Sequence, residues 1–423
     1  MPKGDHIYNC YAPPPQEFVR GEGPYLYTAG KDGGDGNRYL DFIAGIAVSG
    51  LGHSHPALVE ALTEQAGQLW HLSNMFKVRG QHTLAEMYCE AAPFADKVFF
   101  TNSGAEAVEC AMKTARRYHY DNGNPEKYDI VTFTGAFHGR TMGTINAGGN
   151  PKYLKGFGPA LPGFVHLEFG DHDALHEAVG PNTAAVLVEP VQGEGGLRPM
   201  PEVCLRGLRE LCDAHGALLI YDEVQCGMGR TGRLFAHQWA TDGEGNLNAE
   251  PDIMAIAKGV GGGFPFGACL ARREVAECMV PGTHGSTYGG NPLAMAVGIK
   301  VMEIIHDDAF LQNVTDTSNF LRQQFEGLRD RFPDVVKEIR GKGLLIGMQL
   351  HKNPVEVRGY ARDRGLLVGS AGDNVLRLAP PLIITEDHVR EAIAVLEESL
   401  ELARNLPDVE PPTVKVEPVP AKV

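Results

Sequence analysis

The chain has 423 residues and a mass of 45.7 kDa, room for two or three domains, or one large and one small, at roughly 150 residues each. With 43% hydrophobic and 22% charged residues it can bury a sizeable core, which excludes a single small module and general disorder. The net charge of -15 excludes a protein that coats nucleic acid or lies on an anionic membrane, since both need a cationic face. The eight cysteines form no C-x-x-C pair and none is flanked by histidine at zinc-ligand spacing, so they read as reduced thiols of a cytoplasmic protein with no metal site. The start, MPKGDHIY, carries an acid and no apolar stretch, unlike a signal peptide. Residues 42–59, an uncharged run, contain three glycines and a proline and do not suit a membrane helix.

Between residues 98 and 271 short apolar runs alternate with helix-length amphipathic stretches. They are KVFFT and a helix over 105–120, DIVTFT, AAVLVEP and a helix over 201–215, ALLIYDE, PDIMAIAK, and GACLA. Strand and crossover helix in repetition predict an α/β fold with a mostly parallel central sheet, which binds ligands beyond the carboxyl ends of its strands. From about residue 311 the pattern changes to a helix over 310–331, a strand pair near 335–350, a helix over 354–364, a strand at 374–378 and a last helix over 386–405. That pattern predicts a smaller α+β domain. Residues 407–423 hold five prolines and no apolar periodicity, and are expected to be disordered.

Four segments carry candidate chemistry, each after a predicted strand. ALLIYDEV (217–224) ends in Asp222 and Glu223 where such sheets place ligands; taken alone, Asp222 reads equally as a helix cap or a solvated strand end. Thirty-six residues on, Lys258 is followed by Gly259, Gly261, Gly262 and Gly263, which allow close approach of a ligand. A lysine stripped of water there loses preference for its charged form, as a Schiff-base amine requires, although a snorkelling surface lysine would look similar. In TNSGAEAVECAMKTARRY (101–118), Ser103, Gly104 and Ala105 open a helix whose free N–H groups suit a phosphate. Asn102 or Ser103 would cap it, and Ser103 with Glu106 also spells a capping box. TGAFHGRT (134–141) sets Phe137 or His138 to lie on a planar ring and Arg140 to grip a carboxylate.

Two motifs point elsewhere and are set aside. GMGRTG (227–232) fits G-x-G-x-x-G, but five residues separate it from its strand and no βαβ continuation follows. His53 and His55 in GHSHP read as a turn, not as metal ligands.

Phosphate cradle, ring-nitrogen carboxylate, stacking aromatic and Schiff-base lysine together describe a pyridoxal 5'-phosphate site. With RGEGPYLYTA, YLDFIAGIAVSGLGHSHP, FHGRT, VEPVQGEGG, YDEVQCGMGRTG, AKGVGGGFPFGA, HGSTYGGNPLA and LRLAPPLI in family order, the chain resembles the class III (ornithine-type) pyridoxal-phosphate aminotransferases of fold type I from about residue 20 to 400. The resemblance implies residues 1–60 as an N-terminal segment joining the small domain, 61–310 as the large cofactor-binding domain and 311–406 as the C-terminal small domain. It also implies transfer of an amino group from N-acetylornithine to 2-oxoglutarate. Ornithine, succinylornithine, succinyldiaminopimelate and 4-aminobutyrate are alternative donors, and an aminomutase is the alternative from another class.

Carried over residue by residue, Lys258 would hold the cofactor covalently and move protons, and Asp222 would pair with the ring nitrogen. Gln225 would bond the ring hydroxyl, Phe137 would stack on the ring, and Gly104 and Ala105 would hold the phosphate. Ser103, His138, Glu223 and Val224 complete the implied cofactor-binding set. Thr287, and with it Ser286, would reach the neighbouring subunit's site, making the active unit a homodimer. Arg140 and Arg377 would bind carboxylates, with Glu194 as a gate on Arg377. The glycine-rich 30–40 and the proline-rich tail depart from the family pattern, away from these residues.

Overall fold

The computed structural model of the chain describes residues 6–30 and 34–410. Seven strands form the central sheet: β1 (Lys97–Thr101), β2 (Asp129–Phe133), β3 (Phe164–Leu167), β4 (Thr183–Val188), β5 (Leu218–Asp222), β6 (Ile253–Ile256) and β7 (Gly267–Ala271). Their order across the sheet is β1-β7-β6-β5-β4-β2-β3, and every pairing is parallel except the two made by β7. The sheet is the mostly parallel one that the alternating pattern predicts.

Alternation along these strands feeds two cores. Ile130, Ala185, Leu187, Leu218, Ile220, Ile253 and Ala255 share a cluster with Ala107, Val108, Ala111 and Ala115 of helix α1 (Gly104–Asp121). Val186, Val188, Leu219, Tyr221, Met254 and Ile256 face the other way, with Leu205, Leu208 and Leu211 of helix α2 (Glu202–His215). The period of two therefore decides which strand-end residue shares a face with the start of α1.

The C-terminal part builds an antiparallel sheet in the order Val336–Lys342, Leu345–Leu350, Val375–Leu378, Gly369–Ala371, with Asp308–Arg331 and Glu386–Ala403 as its long helices. The short strand 369–371 has no signal in the sequence. Near the N-terminus, Asp35–Asp41 pairs in parallel with Leu366–Leu367, tying the two chain ends together. Asp41 Oδ1 accepts from Ile43 N (3.0 Å) and Ala44 N (2.9 Å), while its Oδ2 bonds His53 Nε2 at 2.8 Å. These bonds hold residues 44–47, which all have positive φ, in a left-handed turn that carries Val48 to the site described below.

Two expectations change. The tail does not leave the body at residue 407: Lys352 Nζ donates to Leu406 O (2.9 Å) and Asp408 Oδ1 (2.6 Å), and Val409 N donates to His351 O (2.8 Å). Residues 411–423, like 31–33 of the glycine-rich segment, lie outside the described residues. The last helix ends at Ala403, and Pro354–Arg362 stops short of 364 because Gly365 takes φ +85°.

GMGRTG has a structural purpose. Gly229 and Gly232 both have positive φ, and between them the buried Arg230 donates to Leu344 O (3.2 Å) and to Pro380 O, joining three distant segments. Burial lowers its pKa to about 9. Arg230→Met keeps most of the stem volume and leaves two carbonyls without their donor, so it should destabilise the fold by about 2–4 kcal/mol. A denaturation midpoint equal to wild type would show that desolvation of the guanidinium cancels its bonds.

Candidate active site

The carboxyl ends of β4, β5 and β6, the start of α1 and the 134–141 turn enclose a cavity of about 420 Å³. It is lined by Asn102, Ser103, Gly104 and Ala105, by Phe137, His138 and Arg140, by Glu189 and Glu194, and by Asp222, Val224, Gln225 and Lys258. Of the fifteen site residues expected from the sequence, eleven line this cavity; Glu223, Ser286, Thr287 and Arg377 do not, and Asn102 and Glu189 join it.

Asp222, last in β5, follows Leu218 and Ile220 in facing α1. Its Oδ1 accepts from Val224 N at 3.0 Å and its Oδ2 from His138 Nδ1 at 2.8 Å. Burial alone would lower the His138 pKa, but the hydrogen bond and charge of Asp222 outweigh it and raise it. Since the folded-state value is raised, this pair contributes stability below the ordinary histidine pKa that is lost as pH rises through the folded value. Glu189 ends the neighbouring strand: Val188 lies opposite Tyr221, so Glu189 comes beside Asp222. Burial pushes Glu189 up to about 8; His138 opposes the shift and Asp222 adds to it.

Lys258 opens a tight 3-10 turn (Lys258–Gly261) with φ +50°, a left-handed conformation uncommon for a side-chain-bearing residue and typical of functional turns. Its ammonium makes no hydrogen bond among the described residues. Burial lowers its pKa, Glu194, Asp222 and Glu189 oppose the shift, and Arg377 adds to it. An amine so placed is more available as a nucleophile or proton carrier than an exposed lysine.

At the start of α1, Ser103 Oγ accepts from Glu106 N (3.3 Å) and Glu106 Oε2 accepts from Asn102 N (2.6 Å). The cap is thus made by residues at the rim, leaving the first N–H groups of the helix open to the cavity. A Cβ at Gly104 would meet Val224 at 2.7 Å, so only glycine lets the helix start and the Val224 wall approach this closely.

Arg377 is 3% exposed, not a surface strand arginine, and its Nη1 donates to Glu194 Oε1 while its buried Nε has no partner. Arg140 is exposed at the cavity mouth, its guanidinium stacked 3.9 Å over the Tyr153 ring.

One expectation is corrected, and one residue is added to the site. Glu223 does not face the cavity: one residue past Asp222, it shares the side of Leu219 and Tyr221, and its carboxylate accepts from Ala236 N (2.5 Å) and His237 N (2.9 Å). Ser286 and Thr287, expected at a neighbouring subunit's site, do not line this chain's own cavity; Ser286 Oγ accepts from Asn102 Nδ2 at 3.1 Å, and Thr287 is exposed. Glu189 was missed, although AAVLVEP carries the signal that singled out Asp222, an acid directly after an apolar strand.

The cavity suits pyridoxal phosphate. Gln225 Oε1 and His138 Nε2 are buried there without partners, Phe137 and Val224 supply apolar walls, and the open helix start offers donors for an anion. Residues 11–400 match the Aminotransferase class-III family, and the chain belongs to it. It is a pyridoxal-phosphate-dependent transaminase. Among similar curated proteins, acetylornithine aminotransferase 2 of Caulobacter vibrioides is 56% identical over 94% of this chain and 96% of its own length. The acetylornithine aminotransferase of Mesorhizobium japonicum is 55% identical over 92% and 94%. Among solved structures, N-acetylornithine aminotransferase of Stenotrophomonas maltophilia superposes with a TM-score of 0.79 at 39% identity, covering 92% of this chain and 96% of that one. The ornithine aminotransferase of Toxoplasma gondii gives 0.85 at 32%, covering 94% and 92%.

Asp222→Asn removes the anion that holds His138 charged and leaves burial dominant. The His138 ring, followed by NMR in the cofactor-free protein, should then titrate below the ordinary histidine value. A value still raised would assign the effect to Glu189 instead.

Proposed function

We propose that the enzyme moves the terminal amino group of N-acetylornithine to 2-oxoglutarate, giving N-acetylglutamate semialdehyde and glutamate, a step of arginine biosynthesis in the cytoplasm. The observation that carries this reading is the Arg377–Glu194 pair at the edge of the cavity, in a chain 55–56% identical to acetylornithine aminotransferases over more than nine-tenths of its length.

The bound cofactor supplies an electron sink for the carbanion left when a proton departs from the amine-bearing carbon. The protein's residues do the rest. Lys258 holds the cofactor and carries the proton at that carbon. Asp222, oriented by His138, keeps the ring nitrogen protonated. Phe137 and Val224 would wall the ring, Gln225 would meet its hydroxyl, and Ser103, Gly104 and Ala105 would receive the phosphate. Arg140 at the mouth takes one substrate carboxylate. Arg377 takes the second carboxylate of 2-oxoglutarate or glutamate, and Glu194 neutralises it while an ω-amino donor, which has no carboxylate at that end, is bound.

A screen of amino donors in the first half-reaction tests the substrate. Acetylornithine should convert the visible cofactor band faster than ornithine, succinylornithine, succinyldiaminopimelate or 4-aminobutyrate. Preference for free ornithine would favour an ornithine aminotransferase, to which the fold is also similar. Failure of 2-oxoglutarate to restore the band would favour an aminomutase.

The working unit is proposed to be a homodimer. Trp70 (66% exposed), Met75 (84%), Phe76 and Tyr288 form an exposed apolar surface, with the His71 and Tyr288 rings 5.0 Å apart. Asn74 Nδ2 ties this surface to the 286–290 loop through Ser286 O and Gly289 O, both at 3.0 Å. A patch of that kind calls for a covering surface, and a second copy would bring Ser286 and Thr287 to its neighbour's cofactor.

Two predictions follow from this reading. Removing the Glu194 carboxylate leaves Arg377 open to an α-carboxylate, so Glu194→Ala should react faster with glutamate and slower with acetylornithine. The ratio of the half-reactions should shift by about 10- to 100-fold, about 1.4–2.8 kcal/mol. Equal slowing of both would leave Glu194 as a support for the fold only. Met75→Asp with Phe76→Asp should convert a dimer into monomers by light scattering and weaken cofactor retention; a wild-type protein that is already monomeric would end the dimer proposal.

A further inference from the structure

Glu189 is not explained by the roles assigned above. It stands directly after β4, 5% exposed, with its carboxylate in the cavity. One oxygen accepts from Phe137 N at 3.1 Å and the other from Gly193 N at 3.4 Å. These two donors belong to different walls. Phe137 sits in the turn that supplies the aromatic face, and Gly193 directly precedes Glu194. Gly193 also lies so close to Gln225 that a Cβ built on it would run into the Gln225 side-chain oxygen.

We infer that Glu189 is a positioning residue which clamps the 134–141 turn to the Gly193–Glu194 turn, so that the ring-facing aromatic and the gate on Arg377 are set by one carboxylate. Three features support the assignment. A single buried acid serves two main-chain donors 56 residues apart in sequence, and it works beside a second tie between the same two turns, Gln192 Nε2 donating to Thr134 O at 3.0 Å. Both oxygens of the carboxyl group are engaged by main-chain N–H groups, so the side chain is held at two points, which suits an alignment role. Lastly, a carboxyl group buried beside Asp222 is a costly way to satisfy two N–H groups, and that cost is hard to account for by fold stability alone. His138, Asp222 and Lys258 are the titratable groups that act on it or feel its charge.

The inference rests on the transaminase reading, yet its first test needs neither cofactor nor substrate. In the cofactor-free protein, Glu189→Gln keeps the size of the side chain but can accept through only one oxygen. Hydrogen exchange followed by mass spectrometry should show roughly ten-fold faster exchange in peptides covering 134–141 and 190–197, the scale expected for loss of a buried hydrogen bond, with 183–188 unchanged. In the loaded enzyme, the ratio of the glutamate and acetylornithine half-reactions should shift by about three- to ten-fold, because the gate turn is loosened, while borohydride still fixes the cofactor to Lys258. If Glu189→Gln does not fold, Glu189→Asp, one methylene shorter, should release the longer bond first and loosen 190–197 before 134–141. Unchanged exchange in both segments, or a uniform rise across the sheet, would overturn the clamp. A change in exchange with no reaction from any amino donor would instead leave the clamp standing and remove the functional reading.

Discussion

The site depends on one constraint: two acids, Glu189 and Asp222, end adjacent parallel strands in register and on the same face. Like charges so close and so buried cannot both be ionised without compensation. His138 answers Asp222 directly at 2.8 Å, and the main-chain N–H groups of Phe137 and Gly193 answer Glu189. Meeting these demands draws the 134–141 turn and the 190–197 turn over the strand ends. The cavity's roof is therefore a consequence of neutralising its floor.

The same logic extends outward to the gate. Arg377 is buried on a strand of the C-terminal sheet, and a guanidinium there must find an anion. Glu194 supplies one from the large sheet's side, so the contact joins the two parts of the chain across the cavity. A substrate carboxylate can displace Glu194 only by offering equal compensation. On the proposed function, discrimination between donors with and without that carboxylate would follow from charge balance, without any need to read the rest of the molecule.

Much of this is legible in the sequence, for definite reasons. Strand runs such as TAAVLV and IMAI are buried on both faces and read as continuous apolar segments, and α1 carries its apolar face at helical spacing. Asp222, Lys258 and the Ser103 helix start stand directly after such runs, so local pattern places them. Glu223 misleads because adjacent letters in a strand point to opposite sides, and period two had to be applied one residue past the strand end. Glu189 carries the same signal as Asp222 but stands inside VEPVQGEGG, a motif that the family resemblance already accounts for. The strand at 369–371 and the contacts of residues 407–410 depend on partners far away in sequence, which no local pattern encodes.

The remaining motifs show how chemistry-bearing letters can serve position alone. GHSHP reads as a turn, and His53 indeed pairs with Asp41, whose other oxygen holds two N–H groups of the left-handed segment 44–47. GMGRTG looks like a nucleotide loop, yet its glycines allow the chain to bend around Arg230, which secures the carbonyls of Leu344 and Pro380. Leu344 lies in the hairpin turn next to the strand that pairs with Arg377, and Pro380 lies three residues beyond Arg377. Arg230 thus fixes, from the side of β5, the segment that carries Arg377. The two buried arginines form a graded pair in which one is fully committed to main-chain carbonyls and the other is left with a buried, unpartnered Nε for a ligand.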